Sequence, residues 1–133
     1  MALLTLFVTI SAVFLLADAL MLGFVLGPLF RSVLGDTLLD GLRLGPALGF
    51  YLLYMSGILW FAAWPGFRAG DAGQAALNGA VLGLVAYGTY ELTSWAIMRE
   101  WSPVMVAADM VWGAVVTGVS AYIGVRVALA VTG

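Results

Sequence analysis

The chain has 133 residues, of which 64% are hydrophobic and only 9% charged, with a net charge of −2. Soluble domains carry about 25% charged residues, so this composition excludes an aqueous surface, and a mean hydropathy of +1.11 points to a lipid-facing exterior with no room for a separate soluble domain. Cysteine and histidine are absent and the five cations, Arg31, Arg43, Arg68, Arg99 and Arg126, are scattered, which excludes disulfides, cysteine or histidine metal ligation, histidine proton relays and a basic patch for nucleic acid.

A spanning helix needs about 20 apolar residues. Residues 2–27 form the first such run. Ala17-Asp18-Ala19 looks like a leader cleavage site, but no basic stretch precedes it and the apolar run continues to Gly27. A retained helix is therefore predicted. From Pro28 to Gly45, the residues Leu29, Phe30, Val33, Leu34, Leu38, Leu39 and Leu42 interleave with Arg31, Asp36, Asp40 and Arg43. This pattern fits a short amphipathic segment lying in the membrane interface; an apolar loop packed on the bundle fits it as well. A second helix is predicted over residues 46–64, with Pro46 as its starter. Pro65 to Asp71 is rich in helix breakers and predicts a turn. The third helix is placed at residues 75–98 and the fourth at 103–130. The tight Arg99 to Pro103 connection makes these two antiparallel neighbours. Trp60, Trp64, Trp95 and Trp101 sit near span ends, as interfacial belt residues do. The prediction is an all-α, single-domain bundle of four transmembrane helices over residues 1–133. Arg31, Arg43 and Arg99 fall on one side, which the positive-inside rule favours as cytoplasmic.

Asp36, Asp40, Asp71 and Glu100 fall in connections. Asp18, Glu91 and Asp109 fall inside spans, where a charged carboxylate costs about 2.5–3.5 kcal/mol on insertion scales. Counted along their helices, all three lie at a similar depth below one membrane face, roughly 9–14 Å at 1.5 Å per residue. Tyr51 and Tyr54 reach the same level from the second helix. A polar layer fed by all four helices follows. On the third helix Gly79, Gly83, Tyr87, Tyr90, Glu91 and Ser94 share a stripe, and Gly79 and Gly83 form a GxxxG pair that permits close helix approach. Asp109, Gly113, Thr117, Ser120 and Gly124 form a small-and-polar stripe on the fourth. The two stripes are predicted to face each other or the centre. Three acids with no lysine, histidine or mid-span arginine among them cannot all be ionised cheaply, so a proton, a cation or an amine must neutralise at least one.

Ala86-Tyr87-Gly88-Thr89-Tyr90-Glu91-Leu92-Thr93, then Trp101, then Asp109-x-x-Trp112-Gly113, resembles an uncharacterised bacterial membrane-protein family catalogued as domain of unknown function 2177. Asp18 with Leu20, Leu22 and Gly23 resembles its first-helix motif, and Phe50-Tyr51-x-x-Tyr54 its second. The resemblance covers nearly the whole chain. That family usually has Asp where Glu91 stands and Asn where Ser94 stands; the first difference keeps the acid, the second removes an amide. The resemblance implies four helices in a bacterial inner membrane and supplies no activity.

The residues themselves favour a ligand site. Asp18, Glu91 and Asp109 would bind a small cation, a proton or a polar lipid head group, with Tyr51, Tyr54, Tyr87, Tyr90, Ser94 and Trp112 as walls and hydrogen-bond partners. Membrane lipids are the expected partners, and so small a bundle is expected to form a homodimer or join a larger membrane complex. A membrane enzyme or accessory subunit of lipid modification is a second reading, since a carboxyl beside a tyrosine can act as acid or base. Against it, the Glu-x-x-His pairs of di-iron bundles, Gly-x-Ser-x-Gly and the Walker loop are all missing. No cofactor, metal site or catalytic residue is predicted. In a third reading the polar layer is only a satisfied core that holds the helices together.

Overall fold

The computed structural model describes residues 1–39, 41 and 43–132; Asp40 and Leu42, two residues of the predicted amphipathic segment, and Gly133 lie outside the described residues. Every element among the described residues is helical. Helix α1 runs over Ala2–Thr37, α2 over Leu44–Ala69, α3 over Ala72–Ile97 and α4 over Pro103–Thr132. Three of them, α1, α2 and α4, are long and apolar enough to cross a membrane. Helix α3 is 26 residues long but is not in that set, because Gln74, Asn78, Thr89, Tyr90, Glu91, Thr93 and Ser94 dilute its apolar content.

The predicted ends of the first two helices need correction. Neither Pro28 nor Pro65 breaks its helix. A proline lacks the N–H of its own turn and clashes with the carbonyl four residues back. Both helices absorb this by widening one turn just before the proline, over Leu22–Leu26 and Leu59–Ala63. There the Gly27 N–H reaches back to the Leu22 carbonyl and the Trp64 N–H to the Leu59 carbonyl, five residues away instead of four. A β-carbon on residue 27 would overlap the Leu22 carbonyl oxygen, so the wide turn in α1 needs glycine there. Helix α1 therefore continues to Thr37 instead of stopping at Gly27, and α2 to Ala69 instead of Trp64.

The true stops are ordinary. Gly70 takes a left-handed conformation, φ +66°, and closes α2. Asp71 then caps α3, its Oδ1 accepting from the Gln74 N–H at 3.1 Å. Ser102 Oγ accepts from the Val104 N–H at 3.1 Å and opens α4 with Pro103 behind it.

Packing follows small residues. A methyl on Gly79 would come within 2.8 Å of the Thr117 carbonyl oxygen, and one on Gly83 would overlap the Gly113 carbonyl. The stripes of α3 and α4 thus face each other at backbone contact, as their pattern predicts. On α1, Leu6, Ile10, Phe14 and Asp18 recur every fourth residue and are all buried. Ile10 lies over Gly124 of α4. Met55, Ile58, Ala62 and Ala63 of α2 complete this core with Ala121, Val125 and Ala128. Many large apolar side chains face outward: Phe24 is 78% exposed, Leu53 74% and Ile97 76%. An exterior of this kind suits hydrocarbon, not water.

Candidate functional site

The four-residue spacing that buries Leu6, Ile10 and Phe14 continues to Asp18, so an acid stands where a core apolar residue would be next. Its two oxygens are held separately. The Tyr51 hydroxyl donates to Oδ2 at 2.7 Å, and the Trp112 indole N–H donates to Oδ1 at 3.1 Å. Three helices meet at this one carboxyl. Both donors are neutral side chains, and among the described residues no cationic group is a partner of this carboxyl.

Glu91 is handled differently. It is fully buried, and the Trp101 indole N–H donates to its Oε1 at 3.0 Å. Its Oε2 has no donor. Asp109 of α4 stands close to Glu91. Among the described residues no N–H or O–H group of the protein donates to Asp109.

Tyrosines and phenylalanines bind these acids into one layer. Phe14 meets Tyr54 edge-on at 5.5 Å, and Tyr54 meets Tyr87 edge-on at 6.0 Å. The Tyr54 hydroxyl and Thr117 Oγ1 are hydrogen-bonded at 2.7 Å inside the core. Tyr87 occupies the space over Gly113, where a methyl would come within 2.7 Å of the Tyr87 Cβ and overlap its ring. Tyr90 meets Trp101 edge-on at 5.7 Å, and Phe30 meets it from the other side at 5.8 Å.

Beside this layer lies a cavity of about 720 Å³. One end is bordered by Asp18, Asp109, Tyr51, Tyr87 and Tyr90. The wall is apolar, with Leu22, Leu26, Phe30, Leu39 and Phe50. Arg31 and Arg43 border it too. The extension of α1 past Pro28 carries Phe30 and Arg31 to the border of this space. Asp18 and Asp109 are each only 6% exposed, yet both border the cavity; Glu91 is sealed behind Asp109.

Of the nine residues singled out in the sequence, five border the cavity: Asp18, Tyr51, Tyr87, Tyr90 and Asp109. Tyr54, Glu91 and Trp112 stand behind them as partners. Ser94 is half-buried, and its backbone carbonyl accepts the Met98 N–H at 2.7 Å near the end of α3; it does not border the cavity. Sequence reasoning missed three contributors. Trp101 was placed in the interfacial belt, but its indole is the donor to Glu91. Arg31 and Arg43 read in the sequence as part of an amphipathic segment and as orienting charges, and the structure sets both at the cavity.

No curated protein and no solved structure matches this chain. A family described as a predicted membrane protein, DUF2177, matches residues 3–126. That span takes in Asp18, Tyr51, Glu91, Trp101 and Asp109, so the network just described falls within the matched region. The chain belongs to the DUF2177 family of predicted membrane proteins.

Proposed function

We propose that this membrane protein binds a ligand with a positively charged group, an ammonium above all, in the cavity beside Asp18 and Asp109. The observation that carries this reading is the cavity itself: two buried carboxyls and three tyrosines border a space of about 720 Å³ within an apolar protein. Pockets of this size enclose drug-sized ligands, typically about 300–1,000 Å³. Carboxylates attract the cation and tyrosine faces add cation–π attraction. Among the described residues no three acids converge as a metal ion would need, whereas an ammonium is served by one or two carboxylates and aromatic faces. Glu91 is different: its seal against Trp101 favours a scaffold role for that one acid.

The same reading has all four helices crossing the bilayer of a bacterial inner membrane. Helix α3 carries polar residues there with much of their bonding met inside the helix, since Gln74 Nε2 donates to Asn78 Oδ1 and Thr89 Oγ1 to the Val85 carbonyl, while Glu91 is buried. At 1.5 Å per residue α1 is about 54 Å long, well beyond the roughly 30 Å of hydrocarbon. Its surplus past Pro28, with Arg31 and Ser32 exposed and Leu34 buried, lies at head-group level, on the cytoplasmic side with Arg43 and Arg99.

The test is direct titration of the purified protein in nonionic micelles with dodecylamine, read by calorimetry. Wild type binds and Asp109→Asn weakens binding about tenfold or more, the cost of one charged hydrogen-bond partner. Equal binding by wild type and the three amide variants of Asp18, Glu91 and Asp109 overturns the proposal.

A further inference from the structure

We infer that the ligand is a zwitterionic amphiphile, with an ammonium at Asp18 and Asp109, a phosphate at Arg31 and Arg43, and a hydrocarbon chain along the wall between α1 and α2. This rests on the ammonium reading above and adds to it the class of molecule. The observation behind it is separate from the acids. Of the five arginines in the chain, two border this one cavity, Arg31 on α1 and Arg43 just before the start of α2. Both arginines are exposed, so no packing duty accounts for their place. A guanidinium presents a planar fork of N–H donors that fits phosphate oxygens two at a time.

The two kinds of charge stand apart. Asp18 and Arg31 are separated by 13 residues of one helix, a rise of about 20 Å, and the long arginine side chain shortens that gap. One molecule that carries its ammonium and its phosphate at separate positions can meet both ends; a simple cation meets one. The wall between the two ends carries Leu26, Phe30, Leu39 and Phe50. A fully water-soluble zwitterion leaves that surface uncovered; an acyl chain covers it. Beyond the ammonium end, the fully buried Glu91 keeps an oxygen without a donor next to Asp109, so the acid layer is not a closed set of ion pairs.

The test uses the full chain in nonionic micelles with four probes: lysophosphatidylethanolamine, lysophosphatidylglycerol with the same acyl chain, dodecylamine and soluble phosphoethanolamine. Wild type is expected to bind lysophosphatidylethanolamine about tenfold or more tightly than each of the other three, since each lacks one of the three recognised parts. In the Arg31→Gln/Arg43→Gln variant that preference collapses, while dodecylamine binding stays within about twofold of wild type and the melting temperature is unchanged. Dodecylamine bound as tightly as the lysophospholipid, with no effect of the arginine changes, overturns this inference and leaves the ammonium site standing. Phosphoethanolamine bound as tightly as the lysophospholipid overturns the amphiphile and leaves the two charged ends. Lysophospholipid binding that ignores both the arginine variant and Asp18→Asn is a nonspecific lipid coat and overturns it too. Failure of dodecylamine and the lysophospholipid alike removes the ammonium site as well.

Discussion

Replacing Asp18 separates its charge from its hydrogen bonds. Asp18→Ala leaves the Tyr51 O–H and the Trp112 N–H without their acceptor. Each unmade bond at a buried donor costs about 1–3 kcal/mol. Tyr51 borders the cavity and can turn to water there, so most of the loss is at Trp112, together about 2–3 kcal/mol. Asp18→Asn behaves otherwise. Its Oδ1 accepts from Trp112, and its Nδ2 donates to the Tyr51 oxygen, because a phenol can accept as well as donate. Every bond is kept and the change stays within about 1 kcal/mol. For a chain of 133 residues, each kcal/mol moves the melting temperature by about 4 °C. Thermal unfolding in micelles, followed by near-ultraviolet circular dichroism, should place Asp18→Ala about 8–12 °C below wild type and Asp18→Asn within about 4 °C of it. If the asparagine variant melts as low as the alanine variant, the negative charge itself holds the fold, and the two-donor account of Asp18 is wrong.

Gly83→Ala drives a methyl into the Gly113 carbonyl. Because the obstacle is backbone, α3 and α4 must part, at a cost near the upper end of about 1–3 kcal/mol; Gly49→Ala, in open space on α2, should instead raise stability slightly, by about 0.5 kcal/mol, and the two melting curves test the contrast. Trp101→Phe removes the only donor Glu91 has among the described residues. It should cost about 1–3 kcal/mol, and adding Glu91→Leu to that variant should recover part of the loss in the same melting experiment, because a buried acceptor then no longer goes unpaired.

Much of the layer was legible because side-chain spacing survives folding. Asp18 follows Leu6, Ile10 and Phe14 at steps of four, and a helix has no way to turn one member of that stripe elsewhere. Gly79 and Gly83 announced a close contact, and they make it against Thr117 and Gly113. The prolines misled. Pro28 opens a predicted connection and Pro65 a predicted turn, yet a wide turn before each lets the helix continue, and no residue pattern signals that accommodation apart from Gly27, whose meaning depends on where the Leu22 carbonyl points. The cavity went unseen for the same reason, since Phe30 and Arg31 on that continuation form part of its border. Trp101 shows a different limit. A tryptophan near a helix end fits the interfacial belt and an inward donor equally well. The clue was the shortness of the turn after α3, which keeps residue 101 within reach of Glu91, ten residues earlier.

The three acids differ in what they have left to offer. Glu91 is sealed and shares its contacts with Trp101 and Asp109. Asp18 borders the cavity but already serves two donors. Asp109 borders it with no protein N–H or O–H donor among the described residues, so its unused capacity faces the cavity. Fold and ligand therefore depend on the three in opposite orders. In an alanine series, melting should fall most for Glu91→Ala, which leaves an indole unpaired and a void in a sealed place. Asp18→Ala should follow, and Asp109→Ala should change least. In an amide series, where hydrogen bonds persist but charge is lost, dodecylamine affinity should fall most for Asp109→Asn, then Asp18→Asn, and least for Glu91→Gln, which does not border the cavity. Measured on the same preparations, the two rankings must cross. If they run parallel, weaker binding is only a symptom of weaker folding, and the acid layer is scaffold throughout.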